Sequence, residues 1–305
     1  MIDNITPNPK PTMSDTIIDI FHISKKFGRL TVLDDVTYQV RRGSVFALLG
    51  ENGAGKTTTI RMLLGLCEPD SGTRFVFGLD CKDHDLRIRQ SVGYVPEQPV
   101  LYDWMTVAEI GRFSASFYPE GYLNRYNDWL KEYDLLPEAK IKSLSKGQRA
   151  KVSLSVALAH DPDLLILDEP TSGLDPMVRR EFLESMVDRA ATGRTVFLSS
   201  HQIGEVERVA DTVAIMRKSK ILLVESLETL KSRSHLITLT LKEEATWSET
   251  LLEQVVHQQA DGRERRLLGH NLREDADRIL KEHPNVARYE IKKPTLEEIF
   301  VGYMK

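Results

Sequence analysis

A glycine-rich segment followed by lysine and threonine is the strongest chemical signal in the sequence. Residues 50–57 have the pattern G-x-x-x-x-G-K-[ST], with Gly50, Gly55, Lys56 and Thr57 at its fixed positions. Glycines let a backbone fold tightly around phosphates and point its N–H groups inward. The lysine of such a loop reaches the β- and γ-phosphates, and the threonine hydroxyl ligates Mg²⁺. The segment follows an apolar run and opens a predicted helix, which favours an ATP and Mg²⁺ site over a simple glycine-rich turn.

Two consecutive acids form the second signal. Asp168 and Glu169 follow the apolar run at residues 164–167. At the carboxyl end of a parallel strand, Asp168 would face Mg²⁺ through water, and Glu169 would polarise the attacking water. Acids also end strands simply because solvent begins there. The phosphate loop upstream favours the catalytic interpretation.

The elements that must position these residues alternate between strands and helices over residues 17–225. Apolar runs at residues 45–49, 164–167 and 196–198 are typical of strands buried on both faces. Polar turns and helical stretches follow them. This alternation predicts an α/β fold with a mostly parallel core sheet covered by helices.

Two regions depart from that alternation. Residues 100–160 contain mostly helical patterns and predict a helical insertion, whereas residues 226–305 mix an alternating strand, a turn at Asp261-Gly262 and further helices. In these regions helices are predicted at residues 107–117, 123–133, 145–159, 247–257, 271–283 and 295–303. We therefore expect a small C-terminal α+β domain at residues 226–305.

Composition restricts the classes of protein that fit. The chain has 305 residues, a net charge of −4 and a pI of about 6.1, which does not suggest broad nucleic-acid binding. Its two cysteines, Cys67 and Cys81, predict reduced thiols in a cytosolic protein. No apolar stretch approaches the roughly 18 residues of a membrane helix. Residues 1–16 predict a disordered tail rather than a secretory signal.

The segment Leu144-Ser-Lys-Gly-Gln148 lies between the loop and the acids, and together these motifs resemble the ATP-binding cassette (ABC) family of transporter subunits. The resemblance covers residues 17–225, with the motifs in the family's order. Residues 50–58 resemble the Walker A loop, residues 164–169 the Walker B strand, and residues 172–175 the D-loop. We call residues 144–148 the signature. The family fold adds an antiparallel β part to the parallel core.

The resemblance implies a composite active site between two cassettes that dimerise head to tail. ATP on the Walker A loop of one copy is then closed over by Ser145, Gly147 and Gln148 of the other copy. Phe27 stands where an aromatic residue stacks on adenine. The residues implied to contact the nucleotide are Phe27, Gly50, Glu51, Asn52, Gly53, Ala54, Gly55, Lys56, Thr57, Thr58, Ser145, Gly147, Gln148 and Asp175.

The implied catalytic residues are Lys56, Glu169 and His201, which stands at the family's switch-histidine position. His201 would contact the γ-phosphate and help Glu169 to hold the attacking water, so catalysis would depend on positioning and electrostatic stabilisation. The implied magnesium ligands are Thr57, Asp168 and either Glu97 or Gln98.

Two positions depart from the family's pattern. Lys146 replaces the first glycine of the signature, and a lysine is strained there if the backbone requires a positive φ. The family's glutamine after a proline is here Glu97, and Gln98 follows it. Either residue could approach Mg²⁺.

Other residues favour structural interpretations. The basic cluster at residues 263–266 is typical of a solvated face, with a membrane-surface or regulatory role as the alternative. Tyrosines and a tryptophan at helical spacing predict a core; they are Tyr118, Tyr122, Tyr126, Trp129 and Tyr133. The remaining histidines form no ligand cluster; they are His22, His84, His160, His235, His257, His270 and His283.

The sequence therefore predicts the ATP-hydrolysing subunit of an ABC transporter. It would act as a homodimer on a separate polytopic permease at the cytoplasmic face of the membrane, without nucleic acid. The C-terminal segment around residues 293–300 resembles the tails of export-type cassettes, which favours export. The alternative is a soluble ABC ATPase that acts on ribosomes or DNA. A regulator that does not hydrolyse ATP is disfavoured by Glu169.

Overall fold

The computed structural model describes residues 15–243, 245, 247, 252, 254–272 and 275–305. Its strands are β1 (Thr16–Phe27), β2 (Leu30–Arg41), β3 (Val45–Gly50), β4 (Ser71–Val76), β5 (Leu79–Asp80), β6 (Val92–Val95), β7 (Leu164–Asp168), β8 (Thr195–Ser200), β9 (Thr212–Arg217), β10 (Lys220–Ser226), β11 (Ser234–Leu241), β12 (Val255–Asp261), β13 (Glu264–His270) and β14 (Val286–Lys292). Its helices are α1 (Lys56–Leu63), α2 (Asp85–Ser91), α3 (Val107–Ala115), α4 (Tyr122–Glu132), α5 (Lys146–Leu158), α6 (Pro176–Ala191), α7 (Ile203–Val209), α8 (Leu227–Arg233), α9 (Ala276–Glu282) and α10 (Leu296–Met304), with a short 3-10 helix at Ile141–Ser143.

The core sheet has the strand order β10–β9–β3–β8–β7–β6. The pairs from β9 to β6 are parallel, and β10 pairs antiparallel with β9 at the edge. Every residue of β3, β7 and β8 is buried, as expected for parallel strands with both faces covered. The predicted α/β fold with a mostly parallel core is confirmed.

A second, antiparallel sheet has the order β2–β1–β4–β5. Its residues share one hydrophobic core with β3 and α1. Tyr38 of β2 stacks on Phe46 of β3 at 5.3 Å between ring centroids, and Phe46 stacks on Phe197 of β8 at 5.5 Å. This sheet is the antiparallel part that the family resemblance implied. β1 begins at Thr16, so the predicted tail was one residue too long at that end, and its residues 1–14 lie outside the described part of the chain.

Helices α3, α4 and α5 lie in the stretch predicted to be helical and enclose a core of their own. Tyr122 and Tyr126 are buried in it, and the hydroxyl of Tyr126 donates to the carbonyl of Val107 at 2.8 Å. α3 begins with a capping box in which Thr106 and Glu109 satisfy each other's backbone N–H groups. The tyrosines are therefore core residues, as their spacing predicted.

The C-terminal residues form an antiparallel sheet of order β12–β13–β11–β14, with α9 packed against β14. The helix predicted at residues 247–257 is wrong where it meets β12, because Val255 and Val256 are β-branched and extend along β13. Residues 248–251 and 253 of that segment lie outside the described residues. The turn at Asp261-Gly262 is confirmed as the β12–β13 connection. In the helix predicted at residues 271–283, residues 271 and 272 are not helical, residues 273 and 274 lie outside the described residues, and α9 begins at Ala276.

Helix α10 returns to the core sheet and packs against α7. Leu296, Ile299 and Phe300 join the core cluster that also contains Val206 of α7. Within the described residues, no helix is long and apolar enough to cross a membrane.

Candidate functional site

The loop between β3 and α1 has the conformation that its glycines predict. Gly55 has φ 113°, and a Cβ at this position would lie 2.6 Å from the carbonyl oxygen of Val32. Only glycine fits both the backbone angle and the space. Helix α1 begins at Lys56, immediately after this glycine, so the N-terminal end of the helix faces the loop.

Lys56 is held in a buried network at the base of this loop. Its side chain is 5% exposed, and its Nζ donates to the carbonyl oxygens of Gly50 at 2.7 Å and Glu51 at 3.2 Å. The same ammonium forms an ion pair with Oε1 of Glu169 at 3.0 Å. The other carboxylate oxygen, Oε2, lies 2.7 Å from Nδ1 of His201. The structure thus brings together all three residues that the resemblance implied in catalysis.

The end of β7 sets the direction of the two acids. Glu169 has φ 48°, a left-handed conformation that costs a non-glycine residue about 1 kcal/mol or more. Its N–H is directed to the carbonyl oxygen of Ser199 at 3.2 Å and to the hydroxyl at 3.1 Å. Ser199 also donates its hydroxyl to Oδ1 of Asp168 at 2.6 Å. Ser199 was missed in the sequence, where the only signal is the polar end of the β8 run.

The donor set near the loop fits Mg²⁺. The Thr57 hydroxyl on α1 and the Asp168 carboxylate on β7 are hard oxygen ligands, and α1 packs against β7. No group of three or more His, Cys, Asp or Glu side chains in the described part of the chain could hold a metal alone. Mg²⁺ is commonly held by one or two protein ligands and takes the rest from water and phosphates. Glu97 and Gln98 are both exposed in the loop after β6, so the choice between them stays open.

The signature forms the N-terminus of α5. Ser145 caps the helix by accepting from the N–H of Gln148 at 3.2 Å, and the Gln148 side chain accepts from the N–H of Ser145 at 3.0 Å. Lys146 is the first residue of α5 and is not among the residues with positive φ, so the expected backbone strain is absent. In the described residues, no hydrogen bond or ion pair joins Ser145 or Gln148 to Lys56, Glu169 or His201.

Two further nucleotide candidates lie apart from this network. Asp175 caps α6, and its Oδ1 accepts from the N–H groups of Met177 and Val178 at 3.1 Å each. Phe27 ends β1 with its ring largely exposed, and the Lys25 ammonium lies 5.3 Å from the ring centroid. An exposed aromatic ring is available to stack on a base.

Packing and ion pairs surround the histidine, cysteine and basic residues for which the sequence favours a structural role. His160 stacks on Tyr118 at 4.5 Å, and burial lowers the pKa of His160 to about 4. Cys67 and Cys81 are free cysteines, and burial raises the pKa of Cys81 to about 12, so this thiol is a poor nucleophile. Arg266 of the basic cluster pairs with Glu298 at 2.6 Å.

In the parallel sheet, β3 leads into a phosphate loop, and Glu169, directly after β7, pairs with the lysine of that loop. This arrangement defines a P-loop ATPase. Comparison with known proteins makes the assignment specific. The model of the family described as "ABC transporter" matches residues 33–172. The chain belongs to the ATP-binding proteins of ABC transporters, and its reaction is the hydrolysis of ATP.

Individual relatives agree with this family. The Nod factor export ATP-binding protein I of Ralstonia nicotianae is 37% identical over 214 residues, which are 68% of this chain and 67% of that protein. The probable multidrug ABC transporter ATP-binding protein YbhF of Escherichia coli is 36% identical over 73% of this chain, but over only 39% of its own length. A solved structure of the ATP-binding subunit of an ABC transporter has a TM-score of 0.66 and 34% identity, and it covers 71% of this chain and 92% of that chain.

Proposed function

We propose that this chain is the ATPase subunit of an ABC exporter that works as a homodimer on a separate membrane-spanning permease. The observation that carries the proposal is the presence of two half-sites in one chain. One half is the buried Lys56–Glu169–His201 network, and the other is the exposed N-terminus of α5 with Ser145 and Gln148. In this proposal residues 17–225 form the ATPase domain, and residues 226–305 form an accessory domain.

The network supports a mechanism for hydrolysis. A γ-phosphate that enters the loop competes with Glu169 for the Lys56 ammonium, because both anions need the same cation. Glu169 is then free to orient the attacking water, while His201 keeps contact with its second oxygen. Thr57 and Asp168, with either Glu97 or Gln98, would hold Mg²⁺, which would supply positive charge to the phosphates.

Closure by a second copy follows from the signature. The capping box uses the lone pairs of Ser145 and Gln148 but leaves the serine O–H and the glutamine NH₂ as donors. These donors and the N–H of Gly147 stand at the start of α5, where a phosphate is favoured by the helix dipole. ATP held by a second copy supplies that phosphate. The other residues of the phosphate loop, with Phe27 and Asp175, complete the nucleotide contacts.

An exposed aromatic row supports docking of the permease. Tyr102 lies 6.0 Å from Trp104 and 5.7 Å from Phe113, which lies 5.5 Å from Phe117, all between ring centroids. Trp104 is 67% exposed and Phe117 64%. Exposed apolar rows of this kind mark interaction surfaces. The row continues from the loop that carries Glu97 and Gln98, so a permease segment seated on it would be connected to the nucleotide site.

The relatives support the direction of transport and the location. Names such as Nod factor export and multidrug transporter are those of exporters, and they favour a transporter over the alternative of a ribosome- or DNA-directed ATPase. We therefore place the chain at the cytoplasmic face of the membrane, bound to its permease.

The test of the composite site is the oligomeric state of Glu169→Gln. With ATP and Mg²⁺ this variant should elute as a dimer, and with ADP as a monomer. Adding Ser145→Arg to it should prevent the dimer, because a bulky cation replaces the N-cap that faces the partner's phosphate. A variant that stays monomeric with saturating ATP would contradict the homodimer.

The test of docking is co-purification from membranes. A double variant, Trp104→Ser with Phe117→Ser, should lose its membrane-spanning partner while keeping the ATPase activity of the isolated chain. Phe21→Ser, which removes an exposed aromatic ring from β1, is the matched control. Equal retention of the membrane protein by the double variant and wild type would refute the aromatic row as the docking surface.

A further inference from the structure

A short turn connects the chain's own catalytic carboxylate to the D-loop aspartate. It runs from Thr171 to Leu174, between Glu169 and Asp175. The N–H of Ser172 donates to the carbonyl oxygen of Glu169 at 3.1 Å, and the N–H of Leu174 donates to that of Thr171 at 3.1 Å. The position of Asp175 relative to Glu169 therefore depends on how this turn is held.

Glu205 of α7 holds both ends of the turn. Its Oε2 accepts from the hydroxyl of Thr171 at 2.6 Å. Its Oε1 pairs with Nε of Arg179 at 2.9 Å, and Nη2 of that arginine donates to the carbonyl oxygen of Leu174 at 3.0 Å. Each carboxylate oxygen thus serves a different end of one turn.

The Thr171 end of this arrangement is shielded from water. Thr171 is 3% exposed and the Glu205 side chain 13%, whereas the Arg179 side chain is 30% exposed. Hydrogen bonds to an ionised carboxylate are shorter and stronger than neutral ones, and a low local dielectric strengthens them further. The hydrogen bond from Thr171 to Glu205 is therefore the stronger of the two links that fix the turn to α7.

Helix α7 also carries the link to the chain's own nucleotide site. It begins at Ile203, two residues after His201, whose ring contacts Glu169. The chain connects α7 directly to His201, and the Glu205 side chain connects the same short helix to the D-loop turn. The same residue stands between the groups that act on the chain's own ATP and Asp175, which is a candidate nucleotide contact in the proposed homodimer.

We propose that Glu205 is a positioning residue for ATP hydrolysis, which holds Asp175 in register with His201 and Glu169 so that closure on a second copy aligns both sites together. This inference rests on the proposed homodimer. It predicts a loss of turnover in the dimer without a loss of nucleotide affinity in the monomer, because Glu205 touches no part of the phosphate loop in the described contacts.

A purely stabilising role is the rival explanation, and the same helix offers a control. Glu207 is two residues further on, accepts from the N–H of Leu296 at 3.3 Å and pairs with Lys231, away from the D-loop. Glu207→Gln therefore removes a charge from α7 and loosens its contact with α10, but leaves the D-loop turn held.

The experiment compares Thr171→Val, Thr171→Ser, Glu205→Gln, Glu207→Gln and the double variant Thr171→Val with Glu205→Gln. For each variant, ATPase kcat, the Kd for ADP and the melting temperature are measured. Thr171→Val and Glu205→Gln should each lower kcat about tenfold and leave the Kd for ADP within about twofold. Thr171→Ser, which keeps the hydroxyl, and Glu207→Gln should retain kcat within about twofold of wild type. The double variant should lose little more than Glu205→Gln alone, since both substitutions weaken the Thr171–Glu205 link and only Glu205→Gln also weakens the link through Arg179.

Three results would overturn the proposal. They are an unchanged kcat in Thr171→Val, an equal loss of kcat in Glu207→Gln, and a fall in ADP affinity that matches the fall in kcat. If Glu205→Gln does not fold, the kcat of Thr171→Val alone tests the proposal, because this substitution only exchanges one hydroxyl for a methyl group. Failure of the homodimer itself is detected separately, by Glu169→Gln staying monomeric with ATP.

Discussion

The ion pair between Lys56 and Glu169 predicts that removing the catalytic carboxylate will tighten nucleotide binding as well as stop hydrolysis. The Nζ of Lys56, the cation that must hold the phosphates, lies 3.0 Å from Oε1 of Glu169. Both side chains are buried, with 5% and 7% exposure, so water does not screen the pair. A phosphate that binds must replace Glu169 at the Lys56 ammonium, and its own negative charge must approach that of the Glu169 carboxylate.

The magnitude follows from the distance. Two unit charges 3.0 Å apart attract by about 5.5 kcal/mol at an effective dielectric constant of about 20. Most of this gross attraction is offset by the desolvation of both ions and by relaxation of the side chains. We expect about 1.4 kcal/mol to remain as a competitor of the phosphate, which corresponds to a tenfold lower Kd in Glu169→Gln.

The assay is calorimetric titration with ADP and Mg²⁺. ADP carries the β-phosphate that Lys56 reaches but lacks the γ-phosphate, so closure of the dimer does not contribute to the measured Kd. Glu184→Gln is the matched control, because it removes the same charge from the exposed face of α6, where Glu184 pairs with Arg180. It should leave the Kd for ADP unchanged.

Two results would refute the reasoning. An unchanged Kd for ADP in Glu169→Gln would show that the ion pair does not compete with the phosphate. Equal tightening in Glu184→Gln would attribute the effect to net charge rather than to the pair.

Three further predictions concern the same network and the core beside it. Lys56→Ala should weaken ADP binding at least about a hundredfold, because it removes the phosphate-binding cation; calorimetry that finds wild-type affinity would contradict the phosphate loop. Ser199→Ala removes the hydroxyl that donates to Asp168. It should lower the free energy of unfolding by about 1–3 kcal/mol and raise the Mg²⁺ concentration for half-maximal ATPase activity. Urea unfolding and a Mg²⁺ titration measure these two quantities, and two unchanged values would be inconsistent with this role. Since burial lowers the pKa of His160 to about 4, the unfolded chain binds more protons than the folded one between about pH 6.5 and pH 4. The free energy of unfolding should therefore fall as the pH is lowered through this window. His160→Gln should make this fall shallower; parallel pH profiles of the variant and the wild type would show that His160 is not responsible.

The parts of the site that could be predicted from the sequence are those where one short segment carries the chemistry. Gly50–Lys56 and Asp168–Glu169 are such segments, since the buried apolar run before each of them fixes where it begins. Ser199 and Glu205 could not be found in this way, because their roles depend on which strand lies beside β7 and on the face that a seven-residue helix turns toward the D-loop. The helix predicted over residues 247–257 failed for the same reason: pairing with β13 decided the conformation from Val255 onward.

The departure at Lys146 shows how a family pattern can change at one position of the signature and not at the next. A Cβ at Gly147 would lie 3.3 Å from Cγ1 of Val178, so any other residue there would require Val178 of α6 to shift by a few tenths of an ångström. Lys146 has a normal helical backbone, and its side chain extends over the D-loop turn, where a Cβ at Gly173 would lie 3.3 Å from Cε and closer still to Nζ. The lysine is therefore accommodated because Gly173 has no side chain. Gly173 also has φ 69°, so Gly173→Ala strains the backbone as well as displacing the Lys146 side chain. The loss of ATPase kcat should therefore be smaller, but not absent, in a Lys146→Gly background; an equal loss in both backgrounds would show that the contact with Lys146 does not matter.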